Sequence, residues 1–332
     1  MLSLHALSVD DYVRGVLEGD RAVLGRTLTL VESRAERHRV LAGEVLTRLL
    51  PYGGRALRVG LTGVPGAGKS TLLEALGSRL TAGGTRVAVL AVDPTSARSG
   101  GSILGDKTRM IRLARDPLAF VWPSPSGGAL GGVTRRTRES IIVLEAAGFD
   151  AVIVETVGVG QSEVAVASMV DTFVLLWLPG SGDELQGIKR GIVELADVVV
   201  VHKADGVMRT AAEVTAGEVR AALRYLAPTL EGWTTEVVTA SSTEGTNLEA
   251  VWDAVLDHRR ALELGGRLAT RRAAQAVSAM WGAAEDSVLV RWRSDPAIRS
   301  TAASLEEAVA AGHLPPTIAA ERLLSARSLA AG

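Results

Sequence analysis

The most constraining feature of this sequence is one segment, Gly63-Val-Pro-Gly-Ala-Gly68-Lys69-Ser70, which matches the pattern G-x-x-x-x-G-K-[ST]. An apolar run predicted as a strand, Leu57–Thr62, precedes the segment, and the spacing after it predicts a helix over Ser70–Leu80. Glycines let the backbone curl around phosphate oxygens with its N–H groups pointing inward, and a helix N-terminus adds partial positive charge. The segment therefore predicts a binding site for the phosphates of a nucleotide at the tip of a strand.

Individual residues of this loop have predicted roles. Lys69 places an ammonium group against the β- and γ-phosphates, and the Ser70 hydroxyl is a predicted magnesium ligand. The alternative is a glycine-rich turn followed by an unrelated Lys-Ser pair, which the flanking strand and helix argue against. The residues predicted to bind the nucleotide phosphates are Gly63, Pro65, Gly66, Ala67, Gly68, Lys69, Ser70 and Thr71.

From residue 56 onward, short apolar runs alternate with helical patterns, which is typical of a mainly parallel sheet buried on both faces. We therefore predict an α/β fold, a P-loop NTPase with a mainly parallel sheet flanked by helices, plus helical N-terminal and C-terminal extensions. The predicted strands are Leu57–Thr62, Arg86–Val92, Ala151–Glu155, Phe173–Leu178, Val198–Val201 and Glu236–Ala240. The predicted helices of this region are Ser70–Leu80, Arg135–Ala147, Glu184–Leu195, Ala211–Leu226 and Leu248–Arg260.

Two glycine-containing turns divide the chain into three predicted regions. Residues 1–55 form an N-terminal region of two or three helices, which ends at Pro51-Tyr52-Gly53-Gly54. Residues 56–264 form the nucleotide-binding domain, and residues 265–332 form a C-terminal helical region. The last region is predicted to contain the helices Arg267–Val290, Leu305–Ala310 and Ile318–Leu329.

Composition narrows the classes of function. With 36 basic and 37 acidic residues, the net charge of -1 offers no electrostatic surface for nucleic acid. The chain contains no cysteine, which excludes disulfides, thiolate metal sites and thiol nucleophiles. The N-terminus lacks the pattern of a secretory signal, and the apolar runs are shorter than a membrane helix requires. We expect a cytoplasmic protein without nucleic-acid or membrane partners.

Three acidic residues follow or lie between predicted strands and are candidates for the metal and for catalysis. Asp93 and Glu155 each stand at the end of a strand, while Asp106 lies in a glycine-rich loop long enough to be a switch. Glu155-x-x-Gly158 resembles the Asp-x-x-Gly switch of GTPases, in which the glycine amide senses the γ-phosphate. The alternative is that such acids only cap helices or lie in solvent.

A second motif predicts recognition of the base. His202-Lys203-Ala204-Asp205 follows a predicted strand at the place where GTPases carry Asn-Lys-x-Asp. The Asp205 carboxylate can accept two hydrogen bonds from guanine that adenine cannot donate, and the Lys203 stem can cover the ring. A backbone amide from the segment that ends at Ser241 is predicted to bind the guanine O6. A solvated strand end is the alternative, and for His202 we favour packing between loops over metal binding or general-base catalysis.

Together these segments resemble the MeaB/ArgK/MMAA family of P-loop GTPases, which are chaperones of adenosylcobalamin-dependent acyl-CoA mutases. The likeness covers essentially the whole chain and is strongest from residue 57 to residue 205. It rests on GLTGVPGAGKST (Gly60 to Thr71), VDPTSARSGGSILGDKTRM (Val92 to Met110), PSPSGGALGGV (Pro123 to Val133), VETVGVGQSE (Val154 to Glu163) and LPGSGDELQGIKRGI (Leu178 to Ile192).

The resemblance implies roles for these residues. Ser70 and Asp106 would be direct magnesium ligands, with Asp93 and Glu155 ordering metal-bound or attacking water. Bound GTP or GDP and Mg²⁺ would be the nucleotide ligand and the cofactor. The stretch Pro179–Lys189 would be a switch that senses a partner mutase, and the C-terminal region would form the arm of a homodimer.

The principal departure from the family is His202, which stands in place of an asparagine that braces neighbouring loops. This replacement puts the strictness of guanine selection in question. Trp281 and Trp292 either anchor a dimer or fill a core, and the glycine-rich stretch Ser124–Gly132 is predicted to be a mobile loop that faces the partner. We find no arginine that is a convincing arginine finger. The competing functions are a metal-insertion GTPase and a transport-associated ATPase or kinase.

Overall fold

A computed structural model of the chain describes residues 7–33, 35–93, 110–125, 130–156, 162–180 and 190–326. The described residues form two compact units, which are divided between Gln275 and Ala276. Among the described residues, no helix is both long enough and apolar enough to cross a membrane.

The first unit is built around a seven-stranded sheet with the order β3-β2-β4-β1-β5-β6-β7, and every pairing in it is parallel. Every residue of β4, β5 and β6 is buried, because helices cover both faces of the sheet. The predicted α/β fold is thereby confirmed. The strands are β1 (Leu57–Gly63), β2 (Val87–Asp93), β3 (Ala119–Pro125), β4 (Ala151–Thr156), β5 (Thr172–Trp177), β6 (Val198–His202) and β7 (Glu236–Ala240).

The described residues contain the predicted helices, with different ends, and also two short helices that were not predicted, Ile111–Arg115 and Ser162–Ala167. Those of the first unit are α1 (Val9–Leu17), α2 (Arg21–Val31), α3 (Glu36–Leu49), α4 (Lys69–Ala82), α5 (Ile111–Arg115), α6 (Leu130–Ala146), α7 (Ser162–Ala167), α8 (Arg190–Val193), α9 (Arg209–Leu223) and α10 (Leu248–Glu263). Helix α11 (Arg267–Ser294) begins in the first unit, and α12 (Pro296–Ala310) and α13 (Pro316–Ser325) follow it.

Strand β3 is the strand of this sheet that the sequence prediction missed. It contains Pro123 and Pro125, which cannot donate to a ladder and which weaken the pattern of a strand. The structure places β3 at the edge of the sheet, paired only with β2, where proline is tolerated. The predicted loop Ser124–Gly132 was also too long, because β3 extends to Pro125 and α6 begins at Leu130.

A buried carboxylate, Glu32, joins the N-terminal helices to this edge of the sheet. Glu32 caps α2 and accepts hydrogen bonds from the Ser124 hydroxyl (2.7 Å), the Ser140 hydroxyl (3.2 Å) and the Trp122 indole N–H (3.1 Å). Burial raises the pKa of Glu32 above its ordinary value, although these hydrogen bonds oppose the shift. The contact connects α2 to the end of β3 and to α6.

A buried ionic cluster lies at the amino ends of the strands, where the strands of the sheet begin. The Asp171 carboxylate accepts from Arg272 Nε (2.8 Å), from Arg259 (3.0 Å) and from the backbone N–H of Arg58 (2.9 Å). Burial works to lower the pKa of Arg272, but the hydrogen bonds and charge of Asp171 outweigh it and raise the pKa. Arg272 also donates to the carbonyls of Gly54 and Ala56, so it fixes the first turns of α11 to the start of β1.

Candidate functional site

The predicted phosphate loop connects β1 to α4 at the carboxyl edge of the sheet. Gly66 (φ 83°) and Gly68 (φ 92°) have left-handed backbone conformations, which side chains of other residues rarely tolerate. A Cβ atom on Gly63 would lie 2.7 Å from the carbonyl oxygen of Leu176, so this residue must lack a side chain. The geometry explains why the glycines of the motif occur at these positions.

Lys69, the first residue of α4, lies inside the loop. Its side-chain ammonium donates to the carbonyl oxygen of Gly63 at 2.7 Å and to that of Val64 at 3.2 Å, and the residue is buried. Lys69, Ser70 and Thr71 form the first turn of α4, where a helix carries partial positive charge. The Lys69 ammonium and the positive end of the helix therefore lie together at the loop.

Ser70 and Glu155 bring two oxygen donors together beside this loop. The Ser70 hydroxyl donates to the Glu155 carboxylate at 2.9 Å. Strand β4 pairs with β1, which places Glu155 opposite Leu61 and next to the phosphate loop. Since Mg²⁺ prefers hydroxyl and carboxylate oxygens, this pair fits the first ligands of a magnesium site.

Of the two other predicted metal ligands, Asp93 lies among the described residues and Asp106 does not. Asp93 is the last residue of β2, which pairs with β4 and so ends at the same edge of the sheet. Asp106 and the predicted γ-phosphate sensor Gly158 lie outside the described residues. Within the part of the chain that the structure describes, no cluster of three or more His, Asp or Glu side chains forms a metal site.

The predicted base-recognition residues lie at the same edge, at the ends of β6 and β7. The Ser241 hydroxyl donates to the Asp205 carboxylate at 2.5 Å, which fixes the orientation of the acid. The backbone N–H of Ser241 donates to the carbonyl of Thr246 at 3.1 Å, so this amide is already hydrogen-bonded. Ser241 contacts Asp205 through its hydroxyl. Lys203 adopts a left-handed conformation (φ 60°), which is uncommon for a residue with a side chain and is often found at functional sites.

His202 packs between the two halves of the site, as the interpretation of a loop-packing histidine predicts. Its Nδ1 lies 2.7 Å from the carbonyl oxygen of Ala67, and its Nε2 lies 2.7 Å from the Ser242 hydroxyl. Burial lowers the pKa of His202, and the adjacent Lys203 lowers it further, while the Ala67 carbonyl and Asp205 oppose the shift. Because a carbonyl oxygen can only accept, Nδ1 donates to Ala67, and in the neutral ring that the lowered pKa favours, Nε2 accepts from Ser242.

Ser242 is the residue of this site that sequence reasoning missed. No motif marks it, although it directly follows the segment 239–241 that the base-recognition pattern singled out. The structure thus brings together the described parts of the phosphate loop, the Ser70–Glu155 pair and the Asp205 carboxylate.

Comparison with known proteins agrees with this geometry. Residues 24–297 match the family model described as methylmalonyl-CoA mutase-associated GTPase MeaB. The chain is 54% identical over 322 residues to a "Probable GTPase" of Mycobacterium tuberculosis, covering 97% of this chain and 96% of that protein. It is 46% identical to GTPase ArgK of Escherichia coli, with 86% of each protein covered.

Relatives also include a mitochondrial protein and a solved structure. The mouse protein "Methylmalonic aciduria type A homolog, mitochondrial" is 46% identical, over 96% of this chain and 79% of that protein. A crystal structure of an "LAO/AO transport system kinase" superposes with a TM-score of 0.77 at 38% identity, and 96% of each chain is covered. The family match spans most of the sequence and includes the phosphate loop and the base-recognition motif, and the chain therefore belongs to the MeaB family of methylmalonyl-CoA mutase-associated GTPases.

Proposed function

We propose that this GTPase is a chaperone that couples GTP binding and hydrolysis to loading or protecting the cofactor of an adenosylcobalamin-dependent acyl-CoA mutase. The observation that carries the proposal is the alignment of two half-sites on one edge of the sheet. The phosphate loop with Lys69 forms one half, and the Asp205 carboxylate, held by Ser241, forms the other. The family description, which names association with methylmalonyl-CoA mutase, supports the choice of partner.

At the phosphate half, the side chains are arranged for charge stabilisation rather than covalent chemistry. Lys69 and the N–H groups of the loop neutralise the charge of the β- and γ-phosphates, while the helix N-terminus contributes partial positive charge. Ser70 and Asp106 would bind magnesium directly, Asp93 and Glu155 would order metal-bound water, and the ion would supply charge neutralisation at the phosphate oxygens. Glu155 would also orient a water molecule, and the position of its carboxylate beside Ser70 supports this role.

At the base half, Asp205 accepts hydrogen bonds from the guanine N1–H and the exocyclic amine. The Ser241 hydroxyl occupies one side of the carboxylate at 2.5 Å and thereby limits its rotation. The stem of Lys203 covers one face of the ring. Because adenine lacks this pair of donors, the site selects guanine over adenine.

The proposed partner completes the catalytic site. The sequence offers no convincing arginine finger, and most of Pro179–Lys189 lies outside the described part of the chain. Slow intrinsic hydrolysis therefore rises when the mutase orders the switches, and an ordered cation can contribute about 10³–10⁵ in rate.

The C-terminal unit supplies the proposed homodimer contact. Val277, Met280, Trp281 and Val288 recur at helical spacing along α11, and each is more than half exposed. The 61% exposure of Trp281 favours the anchor of a dimer over the filling of a core. Light scattering of the full chain and of Trp281→Glu tests this contact, and an unchanged mass would exclude Trp281 from it.

Turnover measurements test the proposed function directly. GTP hydrolysis by the chain alone is compared with hydrolysis in the presence of cobalamin-dependent mutases, and we expect a marked acceleration by the cognate mutase. A pull-down that compares GDP with a non-hydrolysable GTP analogue identifies which nucleotide state binds the mutase. Equal turnover with and without every mutase refutes the chaperone role.

A parallel titration with ATP and GTP separates this function from that of an ATPase or kinase. The relative named as a transport system kinase makes this comparison necessary. We expect GTP to bind more tightly, because Asp205 matches the donors of guanine. Preferential binding of ATP would remove Asp205 from base recognition.

A further inference from the structure

The ring of His202 joins two loops that contact opposite ends of the proposed nucleotide. Nδ1 donates to the carbonyl of Ala67 in the phosphate loop, and Nε2 accepts from Ser242 in the loop after β7. His202 itself is the last residue of β6 and is 2% exposed. One buried side chain therefore connects the loop for the phosphates, the strand that leads to Asp205 and the loop that orients Asp205.

The packing around the ring leaves it little freedom. A Cβ atom on Gly68 would lie 2.6 Å from Nδ1 and 2.7 Å from Cε1 of His202, so the ring lies against the backbone of the phosphate loop. Hydrogen bonds at both nitrogens fix the plane of the ring as well as its position. A displacement of either loop must break one of these bonds.

Two adjacent serines in the loop after β7, which we call the base-recognition loop, contact different residues. The Ser241 hydroxyl donates to Asp205, whereas the Ser242 hydroxyl donates to His202. The orientation of Asp205 and the position of the phosphate loop are thus fixed by neighbouring residues of one loop.

We propose that His202 and Ser242 form a positioning pair that holds the phosphate loop and the base-recognition loop at the separation required by guanine nucleotides. The inference rests on the proposed binding of guanine by Asp205. The serine supplies the proton for a ring nitrogen that would otherwise be buried without a partner. The replacement of the usual asparagine is therefore matched by a hydroxyl on the facing loop, and the loops remain joined.

The test is the affinity of magnesium-bound GDP and IDP for the wild type and for His202→Ala, Ser242→Ala, His202→Asn and the His202→Ala/Ser242→Ala double variant. IDP lacks the exocyclic amine, so the ratio of the two affinities reports the alignment of Asp205 with the base. We expect each alanine variant to bind GDP about tenfold more weakly, the loss typical of an unpaired buried group. The GDP/IDP ratio falls as well, and the double variant is no weaker than His202→Ala alone.

Control variants separate positioning from general stability. Ser33→Ala removes a serine–histidine contact of 2.8 Å in the N-terminal helical region and leaves the nucleotide affinities unchanged. His202→Asn recovers part of the GDP affinity, since its amide can donate to Ala67 while losing the contact to Ser242. Thermal unfolding of each variant establishes that it is folded.

Two results contradict the proposal in distinguishable ways. If the wild type prefers GDP over IDP and the alanine variants retain that ratio, His202 and Ser242 have only a structural role and the inference is wrong. If the wild type itself binds GDP no better than IDP, the proposed base recognition by Asp205 fails first, and the positioning pair fails with it.

Discussion

Replacing Gly68 with alanine is the perturbation whose cost the structure specifies most closely. At φ 92°, the backbone of Gly68 is in the left-handed region, where a residue with a Cβ atom costs about 1–2 kcal/mol. The new Cβ would also lie 2.6 Å from Nδ1 of His202. That ring cannot move aside without loss, because it is buried and bonded at both nitrogens.

Gly66→Ala provides the matched control. Gly66 has a similar backbone conformation (φ 83°), but no heavy atom of the described residues lies within 4 Å of a Cβ built there. Its substitution should therefore cost only the conformational penalty of about 1–2 kcal/mol. Gly68→Ala adds the strain of overpacking, about 1–3 kcal/mol, and brings the total to about 2–5 kcal/mol.

Thermal unfolding measures the difference in stability between Gly68→Ala and Gly66→Ala. For a domain of this size, each kcal/mol lowers the unfolding temperature by about 2–4 °C. A double-mutant cycle with His202→Ala assigns its cause, since removal of the ring removes the overlap. We expect Gly68→Ala to cost less in the His202→Ala background than in the wild type, by about 1–3 kcal/mol. Equal shifts for the two glycine variants, or strictly additive costs in the cycle, would refute the predicted overlap with the histidine.

Three further perturbations test other parts of the molecule. Arg272→Leu removes the arginine that makes two hydrogen bonds to the buried Asp171 carboxylate. Urea unfolding should therefore show a loss of about 3–5 kcal/mol in the free energy of unfolding. The control Arg79→Ala, which removes an exposed ion pair, should lose less than about 1 kcal/mol. Because burial raises the pKa of Glu32, the stability contributed by its protonated form is present below the ordinary value of 4.5 and is lost as the pH rises through the raised value. Glu32→Gln should consequently gain stability relative to the wild type as the pH rises above 4.5, and a pH-independent difference in unfolding midpoints would contradict this. Asp205→Asn should weaken GDP binding about 100-fold or more and shift preference toward xanthine nucleotides, as competition binding would show.

Local signals in the sequence predicted the strands that carry the site. The phosphate loop is recognisable because a phosphate cradle needs glycines with positive φ, and the structure has them at Gly66 and Gly68. The acid at the end of β4 was predicted from a buried apolar run, and its contact with Ser70 follows from the pairing of β4 with β1. These features depend on short stretches of chain, so a single sequence contains them.

Contacts between distant residues could not be predicted in the same way. Asp171 and Arg272 are 101 positions apart, and neither belongs to a motif, yet they form the buried ionic cluster at the start of the strands. Glu32 and Ser124 are separated by 92 positions, and the strand that carries Ser124 was itself missed because of its prolines. Such pairs depend on the three-dimensional arrangement of complete elements.

His202 departs from the usual motif, and only the structure shows which contacts the replacement makes. From the sequence, loss of the asparagine that braces neighbouring loops puts the strictness of guanine selection in question. The structure instead contains a ring with two hydrogen bonds, one to Ala67 and one to Ser242, and the second needs a hydroxyl on the facing loop. Position 202 therefore needs a side chain that can make hydrogen bonds to both loops, and more than one residue type meets that need. Asp205, in contrast, must match the hydrogen-bond donors of the base itself. A substitution of His202 should accordingly be rescued by a compensating substitution of Ser242, whereas a substitution of Asp205 should be rescued only by a different nucleotide base.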